Sequence, residues 1–170
     1  TWTLRIPGLH NRYNAALVLT AARAVGVPDD VSRQVLASFP GVPGRLEFLR
    51  EVNGVKIYND TTSTTPEATL AALAALGVGN TIVIAGGTDK NLELDVLVGK
   101  LKETKRVILL SGTGTDRIKN QLPPGITIYG SIGEAIADAF AHAKKGDTIL
   151  FSPAFTSFGM FKNEFDRGDQ

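Results

Sequence analysis

The sequence predicts an α/β fold: a mostly parallel sheet of about six strands covered by helices, behind a short helical N-terminal segment. Three observations predict it. From residue 81 onward, short apolar runs alternate with stretches of helical periodicity. Runs such as Val107-Ile108-Leu109-Leu110 do not alternate apolar with polar, which is the pattern of strands buried on both faces. The segment Pro40-Gly41-Val42-Pro43-Gly44 reads as a linker, and the pattern changes on crossing it.

Taken in order, residues 1–40 read as helical after a short extended start. Asn14 to Val25 is rich in Ala, Leu and Val and ends at Gly26 and Pro28. Asp30 is expected to cap a second helix carrying Val31, Val35 and Leu36 on one face, with Pro40 beyond it. After the linker, Arg45–Val52 and Val55–Tyr58 read as strands joined by Asn53-Gly54, a strong hairpin signal. Helices are then expected at Pro66–Leu76, Leu92–Leu101, about Thr115–Gln121 and Ile132–Ala143. Strands are expected at Thr81–Ala85, Arg106–Leu110, Ile126–Tyr129 and Thr148–Phe151. A last helix is expected to start near Phe158, with Ser157 as its cap and Phe158, Phe161 and Phe165 on one core-facing side. It looks cut short. Together with a first residue that is not Met, this gives the expectation of an excised fragment.

Composition removes several function classes. The chain has 170 residues, 43% hydrophobic and 21% charged, which is globular. Lys+Arg 18 against Asp+Glu 17 leaves a net charge of +1, unlike a basic nucleic-acid binder or a polyacidic tail. Zero cysteines exclude a disulfide scaffold, a Cys-type metal centre and a Cys nucleophile, and fit a reducing compartment. The 2 histidines, His10 and His142, cannot make a His-rich metal site; His10 reads as structural, and His142, near a helix C-terminus, as a solvated residue that suits the helix dipole. No apolar run approaches the ~20 residues of a membrane helix. No apolar signal segment opens the chain.

In an open parallel sheet, ligands bind at the carboxyl ends of the strands. Four such ends are small and polar here: Asn59–Pro66, Ala85–Asn91, Ser111–Asp116 and Ser152–Ser157. An edge of this kind suits an anionic ligand. Within Asn59–Pro66, Thr64 or Thr65 is expected to be an N-cap, with Pro66 at N1 and Glu67 completing a capping box with Thr64. Thr64 is also a candidate anion donor at that helix start. Lys90 follows Gly86-Gly87, read either as a plain glycine turn or as glycines that let a ligand carboxylate approach a point cation. Gly112-Thr113-Gly114 lacks the third glycine of a dinucleotide fingerprint and reads as a tight turn. Gly99-Lys100-Leu101 is not a phosphate-cradling loop. Asn11 either caps the first helix or, with Asn14, presents amides on its first turn.

Several segments, taken in order, resemble the C-terminal part of a Mur ligase. They are Pro7-Gly8-Leu9-His10-Asn11-Arg12-Tyr13-Asn14-Ala15, Gly41 to Glu47, Asn59-Asp60 through Pro66, Gly86 to Lys90, Ser152-Pro153-Ala154 through Phe158, Phe161-Lys162-Asn163 and Arg167-Gly168. Asn59-Asp60 with Thr64, and the Phe-Lys-Asn ending, favour the D-glutamate-adding branch. The resemblance implies an ATP-dependent, ADP-forming amide ligase of peptidoglycan precursor synthesis, working in the cytoplasm. The carboxylate of UDP-N-acetylmuramoyl-L-alanine becomes an acyl phosphate, which the amine of D-glutamate attacks through a tetrahedral intermediate. It implies that residues 1–40 are the tail of a central ATPase domain and that 41–170 are a Rossmann-like C-terminal domain. The remaining partners are the N-terminal and central domains of the same protein, and the Mg2+ ligands lie outside this chain. By position, Asn11 and Asn14 resemble nucleotide-contacting amides, Arg45 an arginine reaching the ATP phosphates, and Asp60 a carboxylate toward the ribose. Thr64, Lys90 and Ser157, with Phe158 beside it, resemble D-glutamate binders. Thr62 stands where a lysine is common and Gly44 where a histidine is. The acid and aromatic at Glu164-Phe165 are exchanged, and no role is carried there or to Thr62. The competing expectations are another Mur-type or folylpolyglutamate synthase-like ligase, or a stand-alone nucleotide- or amino-acid-binding module.

Overall fold

The computed structural model describes residues 3–170, so Thr1 and Trp2, part of the expected extended start, lie outside the described residues. Helices α1 (Leu9–Ala24) and α2 (Asp29–Ser38) come first. Strands β1 (Glu47–Val52) and β2 (Val55–Asn59) then form the expected hairpin. Val52 pairs with Val55, which leaves a two-residue turn in which Asn53 and Gly54 both have positive φ, 52° and 79°. That geometry is the type I′ turn that Asn-Gly favours. The chain continues through α3 (Pro66–Leu76), β3 (Thr81–Gly86), α4 (Asp95–Leu101), β4 (Arg106–Leu110), α5 (Thr113–Ile118), β5 (Ile128–Tyr129), α6 (Ile132–His142), β6 (Thr148–Phe151) and α7 (Glu164–Asp169).

The six strands form one sheet in the order β1-β2-β6-β3-β4-β5, with β1 antiparallel and the rest parallel. Period-two alternation sorts the strand side chains onto two faces. Val83, Ala85, Leu109 and Leu150 pack under α3, α4 and α5, while Ile82, Ile84, Ile108, Leu110, Ile149 and Phe151 pack toward α6. This is why the central strands read as continuous apolar runs. β6 is the last strand made, yet it inserts between β2 and β3 and so brings the loops after all three side by side.

Several expected boundaries move. α1 begins at Leu9, not Asn14, and Gly8 precedes it. Asp30 does not cap α2: Pro28 stands at the cap position, and Asp29 bonds Arg23 at 2.6 and 2.5 Å. α4 starts at Asp95, not Leu92, after Asn91 adopts a positive φ of 63°. α5 starts at Thr113 and tightens to a 3-10 turn over Lys119–Gln121, so Gly112-Thr113-Gly114 opens a helix. Only Ile128 and Tyr129 of the expected fourth parallel strand pair as β5. The last helix starts at Glu164, where Asn163 accepts from the Asp166 N–H as a cap, so Ser157 caps nothing and Phe158 lies in a turn. Phe158 and Phe165 are 63% and 59% exposed, not core. Thr65, not Thr64, precedes α3, no side chain caps that helix, and the expected capping box with Glu67 does not form.

At the opposite end of the sheet, buried Asp147 accepts the Lys144 N–H at 2.6 Å and pairs with Lys105. Burial alone would push its carboxyl up. The hydrogen bonds from Lys105 and Lys144 outweigh that and hold it below the ordinary range. A depressed carboxylate contributes stability that is present above its unfolded pKa of about 3.9 and is lost as pH falls through the folded value. Asp147→Asn is expected to cost about 1–3 kcal/mol at neutral pH. It should also flatten the loss of unfolding midpoint below about pH 4. Thermal unfolding at stepped pH measures both.

Candidate functional site at the carboxyl edge of the sheet

The loops that leave the carboxyl ends of β2, β6, β3 and β4 are sewn together by backbone hydrogen bonds. Asp60 N–H donates to Phe151 O at 2.8 Å, Ala154 N–H to Ser63 O at 2.9 Å and Gly86 N–H to Pro153 O at 2.9 Å. Thr88 and Thr156 exchange both backbone bonds, and Gly114 N–H reaches Gly87 O at 2.9 Å. This crowding explains the glycines. At Gly87 (φ 142°) a Cβ would sit 2.3 Å from Thr156 O, and at Gly86 (φ 116°) 2.3 Å from Leu110 O. The glycines permit this approach of backbone to backbone.

On this rigid edge two of the expected amino-acid binders meet. Lys90 Nζ donates to Thr64 Oγ1 at 3.2 Å. Both line a narrow cleft with Leu92, Leu94, Ala154 and Phe155. The neighbouring Asp89 turns to Arg117, 2.8 Å away, so Lys90 has no carboxylate partner among the described residues. Ser157 and Phe158 stand outside the cleft's lining. Ser157 is 3% exposed, and the carbonyl of Phe158 accepts from the Thr88 hydroxyl. That bond ties the pair to the strand end that carries Lys90.

The other four candidates, Asn11, Asn14, Arg45 and Asp60, line a single neighbouring cavity of about 340 Å³, together with Thr62, Ser63, Ile6 and Phe39. The Asn11 amide donates to Pro7 O at 2.7 Å, so Asn11 braces the entry to α1 and does not cap it. Arg45 is exposed and has no carboxylate partner among the described residues. Asp60 is 5% exposed. One of its oxygens accepts the Leu46 N–H at 2.8 Å, and the other accepts the hydroxyls of Ser63 (2.5 Å) and Ser152 (2.7 Å). Burial pushes its carboxyl up despite these bonds. Thr62 turns its hydroxyl to Gly44 O at 2.8 Å.

Sequence reasoning gave Arg167 no role, yet it is the largest fully buried side chain described. Its guanidinium reaches Thr61 Oγ1 (3.2 Å), Thr61 O (2.7 Å) and Phe155 O (3.1 Å), without a carboxylate partner among the described residues. Burial pushes its pKa down to about 10. A Cβ on Gly168 would lie 2.6 Å from Thr61 Cγ2, so the Arg-Gly pair lets α7 close on the loop. Ser152, which braces Asp60 and Thr69, was missed in the same way. Among the described residues no three His, Cys, Asp or Glu are grouped to hold a metal, and no helix is long and apolar enough to cross a membrane.

A mostly parallel sheet wound in this order and covered by helices is a Rossmann-like α/β domain. Within that class the chain belongs to the Mur ligase family: the family model described as "Mur ligase, glutamate ligase domain" matches residues 44–155. It is 39% identical over 173 residues to the UDP-N-acetylmuramoylalanine--D-glutamate ligase of Roseiflexus sp., covering 98% of this chain and 37% of that protein. It is 36% identical to the ligase of the same name from Aquifex aeolicus, covering 98% and 41%. The chain thus spans about two fifths of the length of these curated relatives. Among solved structures it resembles the MurF ligase of Thermotoga maritima in complex with ADP. That match has a TM-score of 0.63 and 25% identity, over 79% of this chain and 32% of that one. The bifunctional folylpolyglutamate synthase/dihydrofolate synthase of Yersinia pestis shares the fold, with a TM-score of 0.69 at 18% identity over 90% of this chain and 37% of that one.

Two substitutions test the packing of the edge. Gly87→Ala is expected to cost roughly 3 kcal/mol or more, from the clash and the positive φ together. Arg167→Leu leaves two buried carbonyls without donors and is expected to cost about 2–4 kcal/mol. Denaturant unfolding measures both.

Proposed function

We propose that this chain is the amino-acid-binding part of an ATP-dependent, ADP-forming amide ligase that joins D-glutamate to UDP-N-acetylmuramoyl-L-alanine in the cytoplasm, in peptidoglycan precursor synthesis. The observation that carries the reading is Lys90: an ammonium at a strand's carboxyl end, hydrogen-bonded to Thr64 and without a carboxylate partner among the described residues. A point cation beside a hydroxyl is a receptor for a carboxylate. The names and 36–39% identities of the curated relatives support D-glutamate as the amino acid.

Residues 41–170 form the amino-acid-binding domain on this reading, and residues 1–40 are the tail of a preceding ATPase domain. In support, α1 and α2 turn large apolar side chains outward: Leu9, Tyr13, Leu17, Val31 and Val35 are each between 46% and 80% exposed. Apolar faces left uncovered by the described residues fit contact with another domain.

The cavity fits part of a nucleotide, because it joins two amides and one always-charged guanidinium to an apolar wall. Asn11 and Asn14 would hold the base or sugar end, Arg45 the phosphates, and Asp60 stands at the wall. When bound, ATP supplies the phosphoryl group that activates the precursor carboxylate, with Mg2+ held by residues outside this chain. The chain's own work is positional. Lys90 and Thr64 orient the amino acid by its carboxylate, with Ser157 and Phe158 flanking, and Arg45 neutralises phosphate charge as the site closes.

The full-length protein is expected to form ADP with D-glutamate and not with L-alanine, L-lysine or L-glutamate, in a coupled assay over an amino-acid panel. Turnover with another amino acid alone would reassign the substrate. The isolated chain is expected to show no turnover. In the full-length protein, Lys90→Ala should raise the KM for D-glutamate roughly 10- to 100-fold, the value of one charge-assisted bond, with a smaller change in kcat. Unchanged amino-acid kinetics remove Lys90 from the site.

A further inference from the structure

We infer that Asp89 and Arg117 are positioning residues for Lys90: Asp89 shapes the turn that carries it, and Arg117 cancels a negative charge that would otherwise compete for its ammonium. The inference rests on the ligase reading for what Lys90 binds, while the clamp itself stands on the geometry. Asp89 lines the same narrow cleft as Lys90 and Thr64. A free carboxylate at that place would draw the neighbouring ammonium to itself and repel an incoming anion. Instead, Arg117 Nη1 donates to both Asp89 oxygens, at 2.8 and 2.9 Å. The Asp89 side chain is 18% exposed, so this pair is screened less than one in open solvent.

The same carboxylate builds the turn. Asp89 Oδ1 accepts the Asn91 N–H at 2.9 Å, which closes an Asx turn with Lys90 as its middle residue. Asn91 then redirects the chain at a φ of 63°. Helix α5 grips this loop through three residues. Gly114 N–H donates to Gly87 O at 2.9 Å, Thr113 Oγ1 accepts the Asp89 N–H at 3.0 Å, and Arg117 takes the carboxylate. Thr113 and Arg117 stand one helical turn apart, so one face of α5 presents both. The Lys90 ammonium, directed by this turn, reaches Thr64 Oγ1 across the cleft. Arg117 does not line the cleft, so it acts on the ligand only through Asp89 and Lys90.

The test uses the full-length protein with Arg117→Gln, Arg117→Lys, and Arg117→Gln combined with Asp89→Asn. The Arg117 side chain is 40% exposed, so shortening it leaves no buried cavity. Arg117→Gln is expected to raise the KM for D-glutamate about 5- to 20-fold, with kcat and the KM for ATP within about twofold of wild type. Arg117→Lys keeps a cation opposite Asp89 and should hold the D-glutamate constant within about twofold. The double variant separates charge from packing. Asn retains the oxygen that closes the Asx turn and removes the charge, so the KM should return to within about twofold of wild type. A double variant no better than Arg117→Gln shows that uncancelled charge is not the cause. A worse one makes Asp89 a direct contact of the amino acid's ammonium. Either result overturns the inference, as does an unchanged KM in Arg117→Gln. Amide hydrogen exchange is a readout independent of turnover. Arg117→Gln should quicken exchange at Asp89 and Asn91 about 3- to 10-fold while Ile84 in β3 keeps its protection, and unchanged exchange overturns the clamp. Absence of any ligation by wild type would sink the ligase reading and leave the exchange result to decide whether Arg117 holds the Lys90 turn.

Discussion

The loop Asp60–Thr65 is held by two buried charges of opposite sign, neither of which is neutralised by an ion pair among the described residues. From one side Asp60 collects a backbone N–H and two serine hydroxyls; from the other, Arg167 reaches the Thr61 carbonyl and hydroxyl and the Phe155 carbonyl. A buried charge solvated only by neutral dipoles is expensive, and it is tolerated where those dipoles are fixed in place. The cost is met by tying together β1, β2, β6, α3 and α7, the elements that surround both subsites. Thr64 and Arg45 inherit their positions from this knot.

The topology makes the knot possible. Because β6 enters between β2 and β3, the last loops of the chain lie against the first ones, and Ala154 can bond Ser63 while Thr156 pairs with Thr88. The small residues at 86, 87 and 112 then follow from geometry. At Gly112 a Cβ would stand 2.3 Å from Gly87 O, so three loops pass one another at backbone distance. An edge packed this closely presents few groups outward, and those few, Lys90 and Arg45 among them, carry the proposed recognition. A net charge of +1 is compatible with that economy: anions would be met by single placed cations and not by a basic face.

Much of this was legible in the residues. The Asn-Gly hairpin, the apolar runs of β3, β4 and β6, and Pro66 at the head of α3 each carry a local signal that tertiary packing did not override. The convergence of Thr64 with Lys90 was legible as well, because both sit at strand ends whose side of the sheet is set by connectivity. The failures have physical causes. Phe158, Phe161 and Phe165 fall at helical spacing by coincidence, and the chain instead turns at Gly159, with a positive φ of 93°, before Asn163 can cap α7. Asp60 and Arg167 look like ordinary polar residues in sequence. Their burial depends on contacts with residues 92 and 106 positions away, which no local pattern announces.

The most direct measurement is a structure of the full-length protein with D-glutamate and a non-hydrolysable ATP analogue bound. The proposed reading places the amino acid's carboxylate on Lys90 Nζ and Thr64 Oγ1, the phosphates on Arg45, and the Asp60 carboxylate still bonded to Leu46, Ser63 and Ser152. D-glutamate bound away from Lys90, or phosphate occupying the Lys90–Thr64 cleft, would contradict it.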